Sequence, residues 1–231
     1  MGDPGVINIK CWATEYCKSH DKEHICNKFC IGFNQLKYLY KSSNMPVRYQ
    51  GLYDLQLIGE DLDVYNFLVS FKQNIVKNVQ AGESLFFGSE HKGNGKTSWA
   101  CILMNQYFKK IALKNNLRCR GIFINVPEFL NNLKDDFSRD DKEHEETKYN
   151  IKVADMVIWD DIGAEKESTW VKETLYNYIN HRYSNNLFQL YTSNIPVPLL
   201  RDRLGERILS RIRGQCQSLR FDEKDKRGVE V

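Results

Sequence analysis

The feature that most restricts this chain is an apolar strand that runs through a glycine-rich turn straight into a helix. Ser84-Leu85-Phe86-Phe87-Gly88 leads to Lys92-Gly93-Asn94-Gly95-Lys96-Thr97-Ser98-Trp99-Ala100. Glycines let the backbone bend until successive N–H groups point inward at an anion. The helix N-terminus that follows adds its partial positive charge. In this arrangement Gly93, Asn94, Gly95, Lys96, Thr97 and Ser98 form a phosphate cradle, with Lys96 reaching the β- and γ-phosphates and Thr97 holding Mg²⁺. The spacing departs from G-x-x-x-x-G-K-[ST] at one position, where Glu90 stands in place of the first glycine. Either Gly88 opens a loop two residues longer, or the Glu90 side chain points away from the phosphates.

A second element lies about 60 residues further on, where Ala154-Asp155-Met156-Val157-Ile158-Trp159-Asp160-Asp161 is an apolar strand ending in two adjacent carboxylates. At the C-terminal tip of a strand both can address the crevice above a sheet. Asp160 is expected to hold Mg²⁺ through water and Asp161 to orient an attacking water. Asp161 is one methylene shorter than Glu, so slow turnover is expected. A third element, Tyr191-Thr192-Ser193-Asn194, ends another strand, and Asn194 is expected to sense the γ-phosphate or the lytic water.

Between these elements apolar runs alternate with helical periodicity. The pattern predicts strands at 84–88, 121–126, 156–160 and 188–192, and helices over 62–79 and about 169–183. Short apolar strands alternating with helices imply an α/β fold, a parallel sheet covered on both faces. The stretch 134–152 is polar and acidic and reads as a loop. A chain that is 42% hydrophobic, with 14 Gly and 5 Pro, is neither disordered nor collagen-like. No run reaches the roughly 18 apolar residues of a membrane helix, and the N-terminus lacks the pattern of a signal peptide, so a cytoplasmic protein with no membrane partner is expected.

Charge is unevenly spread. Between Arg201 and Arg227 nine Lys/Arg face five acids, while Asp135–Glu146 holds seven acids against two bases. The basic block could contact phosphates. The acidic stretch is unfavourable for a DNA-facing surface, so any DNA contact is expected from Lys109, Lys110, Lys114 or the C-terminal arginines.

Four of the seven cysteines fall in the first 30 residues, giving Cys17-x2-His20-x5-Cys26-x3-Cys30. In a reducing compartment such a cluster reads as a structural Zn²⁺ site rather than disulfides. Cys11 is the substitute should His20 not be a ligand. Cys101, Cys119 and Cys216 read as buried apolar residues. The expected division is a Cys/His-rich zinc module at 1–50 and a second domain at 51–231.

Read in order, Gly93-Asn94-Gly95-Lys96-Thr97-Ser98-Trp99, Trp159-Asp160-Asp161-Ile162-Gly163-Ala164-Glu165, Thr192-Ser193-Asn194 and Glu206-Arg207-Ile208-Leu209-Ser210-Arg211-Ile212 resemble the DnaC/DnaI family of replicative-helicase loaders, in a short form like those of phages of Gram-positive bacteria. The likeness spans about residue 51 to the end. It implies an AAA+ P-loop ATPase that binds ATP or ADP, self-associates, and delivers the replicative DNA helicase onto single-stranded DNA. It also implies an arginine acting in trans on a neighbour's nucleotide, matched best by Arg211 and next by Arg207. A further arginine, matched by Arg227, would read nucleotide in cis. Two other functions remain open: a nucleotide-binding adaptor or inhibitor of the host helicase or its loader, and a transposition ATPase of the IstB kind.

Overall fold

The computed structural model describes residues 30–57, 59–114, 118–135, 142–166 and 168–223. Helix α1 (Ile31–Ser42) leads through a short 3-10 turn (Val47–Tyr49) to α2 (Leu62–Gln73) and α3 (Ile75–Ala81). There follow β1 (Ser84–Gly88), α4 (Lys96–Ile111), β2 (Gly121–Asn125), α5 (Val126–Asp135) and α6 (Lys142–Val153). The chain then runs through β3 (Met156–Asp160), α7 (Thr169–Ser184), β4 (Phe188–Ser193), α8 (Val197–Leu204), α9 (Glu206–Gln215) and β5 (Cys216–Arg220).

All strand pairs are parallel, in the order β2-β3-β4-β1-β5. Parallel strands require helical crossovers, which bury both faces and explain why the first four strands are continuous apolar runs. Alternate residues divide between two cores. Leu85, Phe87, Met156, Ile158, Phe188 and Leu190 join one core with α1 to α4. Phe86, Val157, Trp159 and Tyr191 join the other with α5 to α9. Helix α4 is pressed between the sheet and α1–α3, so Trp99, Ala100, Cys101, Ile102, Leu103 and Met104 are all fully buried.

One buried cation locks the second layer. Arg182 of α7 has no exposure and donates to the carbonyls of Ile151 (2.8 Å), Ala154 (2.8 Å) and Phe188 (2.7 Å). It thereby ties the end of α6 and the starts of β3 and β4 to one helix. Burial pulls its guanidinium down to about 9.

Four expectations change. The stretch 134–152 is largely helical, as the end of α5 and most of α6, its inner face carried by Ile151 and Asn150. The helix expected over 62–79 is two helices that meet at Asn74. The Phe71 carbonyl, which a continuous helix would offer to Ile75, instead accepts from the Asn74 N–H (3.1 Å) and the Asn78 side chain (3.2 Å). A fifth strand, β5, pairs with β1 at the sheet edge. Cys216 begins that strand and is half-buried, whereas Cys101 and Cys119 are buried.

Helix α1 lies in the same core as the sheet, through Leu36 and Leu39, and the Ser43 carbonyl accepts the Phe123 N–H of β2 at 2.7 Å. The described part of the 1–50 segment therefore shares the core of the α/β domain. Of the expected zinc ligands, Cys17, His20 and Cys26 lie outside the described residues. Cys30 is half-buried at the start of α1, and no cluster of three or more metal-binding groups occurs among the described residues.

Candidate functional site

The loops that follow β1, β3 and β4 gather at the C-terminal edge of the sheet. There the chain order reverses between β1 and β4, the position where open α/β sheets form a crevice. The turn after β1 is built around a buried asparagine as much as around its glycines. Asn94 donates to Ser89 Oγ (2.7 Å) and to the Phe221 carbonyl (3.1 Å), and its Oδ1 accepts from Lys96 Nζ (2.8 Å). Lys96 Nζ also donates to the His91 carbonyl at 3.0 Å. Gly95 has φ of +100°, a backbone conformation that strains any residue with a Cβ, and a Cβ there would also press on Leu55 Cδ2 at 2.9 Å. Helix α4 begins at Lys96, directly after it.

Glu90 is exposed and does not line the cavity formed here. The carboxylate at the unusual position therefore faces away from the cradle.

The second and third elements meet the first. Thr97 Oγ1 donates to Asp160 Oδ1 at 2.8 Å, and the Thr192 hydroxyl donates to the same oxygen at 2.8 Å. Thr192 Oγ1 in turn accepts the Asp161 N–H at 3.0 Å. Asp161 has φ of +56°, and Asn194 Nδ2 donates to its Oδ1 at 2.8 Å. Burial pushes the Asp160 carboxyl up to about 6; the Asp161 charge adds to this, while the Thr192 and Thr97 hydroxyls and Lys96 oppose it.

Asn94, Gly95, Lys96, Thr97, Asp160, Asp161 and Asn194 line a cavity of about 470 Å³ together with Gly93, Ser98, Asn125, Leu55, Arg48 and Tyr49. The size is within the range of small-molecule sites. A neighbouring cavity of about 370 Å³ shares Arg48, Tyr49, Asn125, Thr97 and Asp160. A hydroxyl and a carboxylate converging on one point are hard oxygen donors of the kind Mg²⁺ takes, so the donor set fits that ion. The glycine cradle with a lysine at its centre fits a polyphosphate.

Gly93, Asn94, Gly95, Lys96, Thr97, Ser98, Asp160, Asp161 and Asn194 are thus brought together. Arg211 is not among them. It lies on α9 against α7, donating to Asn180 Oδ1 (3.1 Å) and the Tyr176 hydroxyl (3.3 Å). Arg207 stacks on the Tyr176 ring, 3.9 Å from its centroid. Arg227 lies outside the described residues. Of the lysines expected to meet DNA, Lys109 lies 5.1 Å over the Tyr53 ring and Lys110 donates to the Gln73 carbonyl. Sequence reasoning missed Thr192 as a link between the acids, although it stood in a quoted motif. It also missed Arg48 and Tyr49, which no local pattern marks.

The sheet order and the placement of these loops define the AAA+ P-loop fold. No protein-family model matches the chain. It is 31% identical over 107 residues to the replicative helicase loader DnaI of Bacillus subtilis (strain 168), a match covering 45% of this chain and 34% of that protein. The chain thus matches about a third of the length of that curated relative. Among solved structures, it superimposes on the DnaC helicase loader with a TM-score of 0.64 and 22% identity, covering 76% of this chain and 99% of that one. A replication initiator DnaA bound to AMPPCP and single-stranded DNA gives a TM-score of 0.60 at 17% identity, covering 80% of this chain and 53% of that one. The DnaC/DnaI resemblance carried by the motifs is therefore seen in both the sequence match and the fold.

Proposed function

We propose that this chain is an ATP-dependent loader that places a replicative DNA helicase on single-stranded DNA, in the cytoplasm of a bacterium replicating phage DNA. The observation that carries the ATP part is the convergence of Thr97 and Asp160 at 2.8 Å beside the Lys96 turn. The loader part rests on the similarity to DnaI and DnaC. In this reading Gly93–Ser98 grip the triphosphate, and Thr97 and Asp160 hold Mg²⁺, which neutralises phosphate charge when bound. Asp161 orients the attacking water and Asn194 positions Asp161. Arg211, away from its own chain's cavity, acts on a neighbour's nucleotide after self-association, and Arg227 reads nucleotide in cis. The Cys17, His20, Cys26 and Cys30 set holds a structural Zn²⁺, which elemental analysis of wild type and Cys17→Ser tests. Among the described residues no helix is long and apolar enough to cross a membrane.

The deciding measurement is the size of a mixture with the host helicase, with and without nucleotide, followed by ATPase assays with and without single strands. Lys96→Ala abolishes nucleotide binding in this reading; unchanged affinity would remove the phosphate-loop assignment. A second reading, an adaptor or inhibitor that occupies the helicase or its loader without turnover, is favoured by the Asp161 carboxylate being held on Asn194. It predicts helicase capture with no strand-stimulated hydrolysis. An IstB-like transposition ATPase predicts no helicase capture.

A further inference from the structure

The segment after α1 reaches the cavity through Arg48, Tyr49 and Leu55, and Arg48 is its one charged side chain there. Arg48 and Tyr49 line the 470 Å³ cavity and also the 370 Å³ cavity beside it. The two cavities share Thr97 and Asp160, so Arg48 stands where they meet. That is the side on which a P-loop threonine and a strand-tip aspartate address the metal between the β- and γ-phosphates.

The segment that carries Arg48 is anchored along its length. Asn105 of α4 donates from Nδ2 to the carbonyls of Tyr49 and Leu52, both at 2.7 Å. Met45 and Leu57 are buried at either end. The backbone is therefore fixed to the helix that starts at Lys96, while the Arg48 side chain stays exposed. Its Nη2 donates to the Tyr49 hydroxyl at 2.6 Å, and its guanidinium lies 4.5 Å from the Tyr49 ring centroid. No described carboxylate forms an ion pair with it.

An exposed guanidinium on an anchored backbone, at the metal-side wall of a polyanion cradle, has donors to spare. The planar fork suits phosphate oxygens, which it can contact through two N–H groups at once. We infer that Arg48 contacts the terminal phosphate of the nucleotide bound to its own chain and discriminates triphosphate from diphosphate. This rests on the phosphate-loop reading above. It also makes the segment after α1 part of the nucleotide site.

The test is equilibrium titration of the full chain with MgADP and with a non-hydrolysable Mg-ATP analogue, for wild type, Arg48→Gln, Arg48→Lys and Lys96→Ala. Arg48→Gln should weaken the triphosphate by about tenfold or more and the diphosphate by less than about threefold, as loss of a charge-assisted contact to one phosphate requires. Arg48→Lys should recover only part of the loss, a point charge lacking the two-pronged contact. Equal losses for both nucleotides, or no loss for either, would overturn the assignment while leaving the cradle intact. Should wild type bind neither nucleotide, or Lys96→Ala bind as well as wild type, the phosphate-loop reading fails and Arg48 falls with it.

Discussion

Asp160 offers a measurement in which stability and function move in opposite directions. Its side chain is 5% exposed, and burial raises its pKa from 3.8 to about 6. The folded chain therefore holds the proton more tightly than the unfolded chain. The stability this group contributes is fully present below about pH 4, is lost as pH rises towards 6, and stays lost above that. A shift of about two units is worth about 3 kcal/mol at neutral pH. Asp160→Asn removes the charge but keeps an oxygen to accept from Thr97 and Thr192, at the cost of weaker hydrogen bonds to a neutral acceptor. The variant should therefore be more stable than wild type by about 2 kcal/mol at pH 7.5 in urea denaturation with EDTA present. Between pH 7.5 and 4.5 that gap should narrow by about 2 kcal/mol, as wild type takes up its proton. Saturating MgATP should reverse the order, because a ligand at about 100 times its Kd adds about 2.7 kcal/mol to the form that binds it. An Asn variant less stable than wild type in EDTA at pH 7.5, or a gap that does not change with pH, would refute the reasoning.

Two further substitutions probe the supports of the site. Arg182→Met removes the donor from three buried carbonyls and should cost about 3–5 kcal/mol, read as a lowered urea midpoint; a change within about 0.5 kcal/mol would show that the carbonyls find other donors. Thr192→Val deprives Asp160 of a hydroxyl and leaves the Asp161 N–H without an acceptor. It should cost about 1–3 kcal/mol and slow hydrolysis more than it weakens ATP binding, with Thr192→Ser restoring both.

The first four strands were readable because helices cover both faces of the sheet there, which calls for largely apolar side chains on either side of each strand. Val157 and Ile158 face opposite cores and both are fully buried. Strand β5 was not readable, since it is mostly uncovered: Gln217, Ser218 and Arg220 are exposed and only Leu219 is buried, whereas β2 at the opposite edge is buried along most of its length. Helix α6 hides for a related reason, its buried face being narrow and its surface laced with pairs such as Lys148–Glu145 at 2.7 Å. At the site, Lys96, Thr97 and Asp160 were legible because a phosphate and its metal restrict which side chains can serve. Arg48 was not, because its place at the cavity follows from Asn105 gripping the backbone beside it, a contact between residues 56 positions apart.

The corner at Asp161 shows how the two acids are given different freedoms. A non-glycine residue at φ of +56° is strained and persists only where its surroundings over-determine it. Here the Asp161 N–H goes to Thr192 Oγ1, the Ile162 N–H to the Thr192 carbonyl at 2.9 Å, and the Ser193 hydroxyl to the Ile162 carbonyl at 2.7 Å. The tips of β3 and β4 are thereby joined through backbone groups as one unit. Asp160, accepting two hydroxyls, shares that rigidity. Among the described residues the Asp161 carboxylate is held by one side-chain contact, from Asn194 at 2.8 Å. Re-aiming it at a water needs only a side-chain rotation and the exchange of that bond, with no backbone change. The loader and adaptor readings therefore differ physically in whether bound triphosphate competes for Asn194 strongly enough to release Asp161.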